Sequence, residues 1–375
     1  MLYLDHAATS PVRPEVLDAM APFLTGVFGN PSSHHTVGEA AARALDDARA
    51  RVARALGMRT GDVIFTGGGT EANNLAVKGI LLAAHSRRLA VSPIEHESII
   101  ESAAYLRRLH GVDVSVIGVD GRGRITPEAL DESLREPTAL VSVGHANNEI
   151  GTVQNAAALS ETAHRHGALL HLDAVQSAAW LPLDATGADA IAIAGHKLGA
   201  PKGIGALAVR GRIPLEPLLH GGGQERGRRS GTENVAGAVG LATALDLAAR
   251  EREQVAARVA AATGRFIHGV LAALPQAALT GDPVDRLPGT ASFTFEGTSG
   301  EAVLLELERR GVISSSGSAC AAGSDEPSHV LLACGIEPAV AQTSVRFTFG
   351  REHLPDDAPA QLAMLVAAAV RAVSR

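Results

Sequence analysis

LLHLDAVQSAAWLPLDATGADAIAIAGHKLGAPKGIGALAV, residues 169–209, holds three short apolar runs at 169–172, 189–194 and 205–209. Their length is that of strands. Apart from His171 and Asp189 they are continuous apolar stretches rather than alternating ones, as strands buried on both faces of a sheet are. Four more runs precede them, at 62–66, 89–92, 113–117 and 140–143, with helical patterns between. Strand and helix in alternation predict a mostly parallel sheet covered by helices, an α/β architecture. Such sheets bind ligands beyond the carboxyl ends of their strands. Further along, 234–274 reads as an Ala-rich helix and 280–288 as a Gly/Pro/Asp loop. ASFTFEG then reads as a strand and 300–310 as a helix, which predicts a second, smaller α+β unit. A chain of 375 residues suits two domains. The expected division is a large domain at 14–250 and a small one formed by 1–13 together with 251–375.

Composition narrows the classes. Hydrophobic residues make up 46% and charged residues 19%, so the chain has ample material for a core. Aromatics are only 3%, which predicts a core of Ala, Leu, Val and Ile. The formal charge is −7, with no run of five like charges, which argues against a nucleic-acid or anionic-membrane partner. One basic cluster, Arg226, Arg228 and Arg229, reads either as a solvated loop or as part of a subunit interface or ligand site. No stretch of 18 apolar residues occurs, and MLYLDHAATSP lacks the basic start and apolar run of a secretory signal. Two cysteines fourteen positions apart suit a reducing compartment, so a cytoplasmic protein is expected.

Four constellations carry chemistry. TGGGTE, residues 66–71, lies between an apolar run and a helical pattern. Glycines there expose backbone N–H groups at a helix N-terminus, which favours an anion; the alternative is a flexible turn. The spacing is neither that of a P-loop nor that of a dinucleotide fingerprint. Asp173 falls directly after a strand, with Gln176 one helical turn on; the alternative for Asp173 is a helix cap. Lys197, after the 189–194 run and beside glycines, suits a lysine that reacts with a ligand carbonyl. Its alternative is a surface lysine, and Lys202 competes for the role from a turn. Together the three fit pyridoxal 5'-phosphate, which needs a lysine for its aldehyde, an anion site for its phosphate and a carboxylate for its ring nitrogen. In the fourth, SSSGSACAAGSDEPSH at 314–329, Cys320 sits among small residues without apolar periodicity, the setting of an accessible, reactive thiol. Cys334, in HVLLACG, reads as a small core residue.

These residues occur in segments that resemble the cysteine desulfurases over essentially the whole chain. The matching segments include YLDHAATSP, GNPSSHH, FTGGGTEANNLAVKG, EHES, HANNEIGTVQ, HLDAVQ, GHK, GGGQERGRRSGTEN, SGSAC and SVRFTFGR. SSSGSAC resembles the group that supplies sulfur for iron–sulfur clusters and tRNA. The resemblance implies a fold-type I pyridoxal-phosphate enzyme that converts L-cysteine to L-alanine and leaves the sulfur on Cys320 as a persulfide. It implies Lys197 as the lysine that carries the cofactor and the α-proton, and His96 as the imidazole stacked on the ring. Asp173 and Gln176 would meet the ring nitrogen and phenolic oxygen. Gly69, Thr70 and His196 would bind the phosphate, joined by Thr232 from the second subunit of a homodimer. Asn147 would touch cofactor and substrate, and Arg346 would clamp the substrate carboxylate. A sulfur-acceptor protein is the implied partner, and no metal is implied. One departure stands out: Ala194 replaces a hydroxyl residue that often contacts the phosphate, so one hydrogen bond, about 1.5–3 kcal/mol to a charged group, is missing there. Position 6 is His where Asn is common. Other readings are an aminotransferase or selenocysteine lyase on the same scaffold, and a non-catalytic scaffold for a sulfur carrier.

Overall fold

The computed structural model describes residues 1–316 and 326–374. Its strands are β1 (Leu2–Tyr3), β2 (Val63–Thr66), β3 (Arg88–Val91), β4 (Asp113–Val116), β5 (Leu140–Gly144), β6 (Leu169–Asp173), β7 (Ala190–Ala194), β8 (Gly205–Val209), β9 (Ala277–Leu279), β10 (Thr290–Phe295), β11 (Val312–Ile313) and β12 (Val345–Thr348). The seven apolar runs of the sequence are β2 to β8, displaced by a residue at some ends.

They form one sheet in the order β2-β8-β7-β6-β5-β3-β4. β8 is antiparallel to both its neighbours, and the other pairs are parallel, so six of the seven strands point one way. The chain segments leaving β2, β3, β5, β6 and β7 therefore emerge on the same edge of the sheet. β5 to β8 are buried along nearly their whole length, which explains their continuous apolar sequence.

The largest core is built much as composition predicts, from Ala, Val, Leu and Ile with Met20 and Phe65, on one face of this sheet. A second core departs from that expectation. It gathers Phe266, Phe293, Phe295, Phe347 and Phe349, five of the chain's eight phenylalanines, between the antiparallel sheet β12-β10-β9 and helices Val235–Ala273, Gly300–Arg309 and Ala358–Val373. Phe293, Phe347 and Phe349 meet Phe266 edge-on at 5.1–5.9 Å, and Phe295 stacks on Phe293. A three-stranded sheet offers few inward positions, and large side chains bury more area at each. Leu4 joins this second core, and β1 pairs in parallel with β11. Helix Val235–Ala273 serves both cores, with Ala236 to Leu245 in the first and Val255 to Val270 in the second.

A buried ion pair pins the glycine-rich segment after β8. Glu225 and Arg226 have φ of 48° and 58°, a left-handed conformation that costs non-glycine residues energy. Arg49 holds Glu225 in a bidentate pair at 2.5 and 2.9 Å, and Phe65 N–H donates to the same carboxylate at 3.2 Å. Both side chains are almost wholly buried. Arg49→Ala leaves that carboxylate uncompensated and is expected to destabilise the fold by about 3–5 kcal/mol, measured by urea unfolding. The neighbouring arginines tie this loop to the glycine turn and to β2: Arg226, which is exposed, and Arg228 donate to the carbonyls of Val63 and Gly61, and Arg229 pairs with Glu71 at 2.8 Å.

Candidate active site

Asp173 is the last residue of β6 and is buried. Its Oδ1 accepts from Val175 N–H at 2.9 Å, and no helix follows, so it does not act as a helix cap. Its Oδ2 accepts from Asn73 Nδ2 at 2.7 Å. The same Nδ2 donates to Ser98 Oγ at 2.9 Å, and Ser98 Oγ lies 2.8 Å from His96 Nδ1. A single hydrogen-bonded chain thus joins His96 to Asp173. His96 also caps helix Glu97–His110, its Nδ1 accepting from Ser98 N–H at 3.0 Å. Capping and a place in the pocket coincide at this residue.

Lys197 closes a 3₁₀ turn, Gly195–Lys197, directly after β7. Its Nζ donates to the carbonyl oxygens of Ala7 and Ala8. Gln176 Nε2 donates to Ala7 O at 3.0 Å. Lys202 is exposed, at the rim of a shallow depression lined by Gly67, Gly68, Gly69, Thr70 and His196. The glycine turn precedes helix Gly69–Ala83, whose N-cap Gly68 has φ of 154°, open to glycine alone. A Cβ on Gly69 would meet Val175 Cγ2 at 2.8 Å and Ala194 Cβ at 3.2 Å, so the helix start can approach β7 only without a side chain. His196 Nδ1 lies 3.2 Å from Thr9 Oγ1. Burial, then Lys197 and Lys202, push its pKa down to about 4, so this imidazole is neutral at pH 7 and offers hydrogen bonds rather than charge.

Lys197, Asp173, Gln176, His96, Gly69, Thr70, His196, Asn147 and Arg346 all line one cavity of about 350 Å³ at the carboxyl edge of the sheet. Asn147 is heavily engaged: Oδ1 accepts from Glu149 and Ile150 N–H, and Nδ2 donates to Ile94 O at 2.8 Å. Ala194 lines the cavity too and brings no hydroxyl. Thr232 is exposed and is not in this cavity's wall. Cys320 lies outside the described residues. Cys334 is half-buried at the end of helix His329–Ala333, and burial pushes its thiol up to about 11.

Sequence reasoning missed Asn73, Ser98, Glu95 and the carbonyls of Ala7 and Ala8. Asn73 sits one turn into the helix that follows the glycines, a position that carries no signal without the fold. Backbone carbonyls carry no sequence signal at all. Glu95 is a cavity residue just after β3, fully buried, with Ser92 Oγ donating to its Oε1 at 2.5 Å. Burial, reinforced by Asp173, pushes its carboxyl from 4.5 to about 8. The folded protein therefore binds a proton that the unfolded chain releases. Stability from this group is present below about pH 4.5 and is lost as pH rises toward 8. Glu95→Gln is expected to flatten the thermal-stability profile over that window, most visibly as a smaller loss between pH 5 and 8.

The fold and the cavity define an aminotransferase-type enzyme, with an acid at the end of β6, a lysine just after the neighbouring β7 and an anion cradle at a helix start. The model of the family "Aminotransferase class-V" matches residues 2–358. An "IscS-like cysteine desulfurase" of Mycobacterium tuberculosis is 44% identical over 99% of this chain and 97% of its own length. A "Cysteine desulfurase IscS" of Dictyoglomus turgidum is 41% identical over 95% and 91%. Among solved structures, a "NifS-like protein" superposes with a TM-score of 0.91 at 31% identity, over 99% of this chain and all of its own. "SspA in complex with cysteine" gives 0.81 at 33%, over 94% and 100%. The chain belongs to the cysteine desulfurases of the class-V aminotransferase family.

Proposed function

We propose that this protein is a pyridoxal-phosphate-dependent cysteine desulfurase that releases L-alanine from L-cysteine and retains the sulfur as a persulfide on Cys320. The observation that carries the reading is the convergence of Lys197, Asp173 and the buried Arg346 on one cavity. The cofactor fits these residues: the helix start cleared by Gly69 suits its phosphate, Asp173 its ring nitrogen and Lys197 its aldehyde. When bound, pyridoxal phosphate supplies an electron sink for the substrate's α-carbon.

The chain's own groups do the rest. Arg346 seats the substrate carboxylate. Lys197 Nζ takes the α-proton and returns it, and the carbonyls of Ala7 and Ala8 steer the amine. Asp173, fixed by Asn73, holds the proton on the ring nitrogen. Protonation of His96 at Nδ1 would break its helix cap, so proton exchange belongs to Nε2. The Cys320 thiolate attacks the substrate sulfur. The carbon–sulfur bond breaks, a sulfur–sulfur bond forms, and the electron pair and a proton remain with alanine. That SspA is found in complex with cysteine supports this substrate.

Three further parts of the reading are a homodimer in which Thr232 reaches the other subunit's phosphate, a sulfur-acceptor protein as partner, and a cytoplasmic location. Among the described residues no helix is long and apolar enough to cross a membrane. The two cores support a division into 14–250 and 1–13 with 251–375. The deciding experiment is mass spectrometry of the protein after incubation with L-cysteine. One added sulfur on the Cys320 peptide, with alanine released, is expected. Keto-acid formation without added sulfur would instead indicate transamination.

A further inference from the structure

The N-terminal segment lies beside β12 and sets Asp5 against Arg346. Asp5 bridges to Thr348, two residues along the strand from Arg346, and Thr348 N–H donates to Leu4 O at 2.7 Å. Ala7 N–H returns a bond to Thr348 Oγ1 at 2.9 Å. Residues two apart share a face of a strand, so this ladder fixes the acid and the arginine together. Arg346 Nη2 donates to Asp5 Oδ1 at 2.8 Å, and Nη1 donates to Asn148 O at 2.8 Å. Its Nε is buried and has no acceptor among the described residues.

A buried guanidinium needs a counter-charge, and here Asp5 supplies it through one Nη alone. A carboxylate entering the cavity meets a cation that is already partly neutralised. We infer that Asp5 is a positioning residue that orients Arg346 and, through its own charge, limits how tightly the cavity holds the α-carboxylate of an amino acid. The inference rests on the assignment of Arg346 as the substrate's carboxylate seat. Its consequence is a balance: the seat stays formed between turnovers, and the product carboxylate leaves readily.

Asp5→Asn keeps an oxygen acceptor for Nη2 and removes the charge; Asp5→Ala removes both. Propionate is a suitable probe, since it has a carboxylate and no amine to join the cofactor. In the holoenzyme, titration calorimetry and competition against cysteine should show Asp5→Asn binding propionate about tenfold more tightly, the scale of one charge–charge interaction at a partly buried site. KM for cysteine and kcat should both fall, the latter through slower alanine release. Asp5→Ala should bind propionate less tightly than Asp5→Asn, because the guanidinium loses its guide. A merely structural Asp5 would not give tighter binding. Arg346→Gln should abolish propionate binding; Arg346→Met, which also lacks the charge, replaces it if the Gln variant does not fold, with cofactor absorbance reporting folding. If Asp5→Asn binds propionate no more tightly while the Arg346 variant loses it, the seat stands and the role of Asp5 is overturned. If the Arg346 variant binds propionate as before, both assignments fall.

Discussion

Lys197→Ala is expected to lose covalent retention of the cofactor and to lower desulfuration by roughly 10³–10⁴-fold, the range expected when a positioned proton carrier and covalent anchor is removed. The reason lies in the geometry around Nζ. The amine sits at the end of β7, directed by the carbonyls of Ala7 and Ala8, on the same cavity wall as Asp173 and Gln176. Lys202 is exposed at the rim, where its charge can attract an anion but its amine does not share that wall. Borohydride reduction followed by peptide mapping checks the anchor. It should fix the cofactor to the peptide holding Lys197 in the unaltered protein and to no peptide in the variant. Partial rescue by a small primary amine such as methylamine is expected, since it would replace the proton carrier. Retention of the cofactor on Lys202 would reverse the assignment.

Cys320→Ala is expected to leave cofactor binding intact and to eliminate the persulfide. The contrast with Cys334 makes the prediction sharp. Burial drives the Cys334 thiol up to about 11, so almost none of it is thiolate at neutral pH, and the thiolate is the nucleophile. Cys334→Ala should therefore form persulfide at the unaltered rate, while Cys320→Ala should show no added sulfur on any peptide. Sulfur on the Cys334 peptide of the Cys320 variant, at the original rate, would remove Cys320 from the mechanism.

The sheet was legible because strands covered on both faces are apolar at most positions, as β5 to β8 are. Most of β2 to β8 therefore stood out as short apolar runs, and Asp173 at the end of β6 and Lys197 shortly after β7 stood out with them. The aromatic core was not legible. Composition averages over the chain, whereas the short sheet β12-β10-β9 carries Phe293, Phe295 and Phe347, which with Phe349 just after β12 and Phe266 on the long helix gather in one core. Asn73 and Glu95 were missed for a different reason: a polar residue in a helix or after a strand is unremarkable until the fold brings it against another element.

By itself the sequence determined the architecture, the family and the residue types that bind cofactor and substrate, because each depends on local pattern or on motifs contiguous in the chain. Only the tertiary structure decided how those residues are held. Asp5 and Arg346 are 341 positions apart and share one hydrogen bond; Ala7 and Lys197 are 190 apart and share another. Such contacts arise from strand register and chain crossing, and no local pattern of residues encodes them.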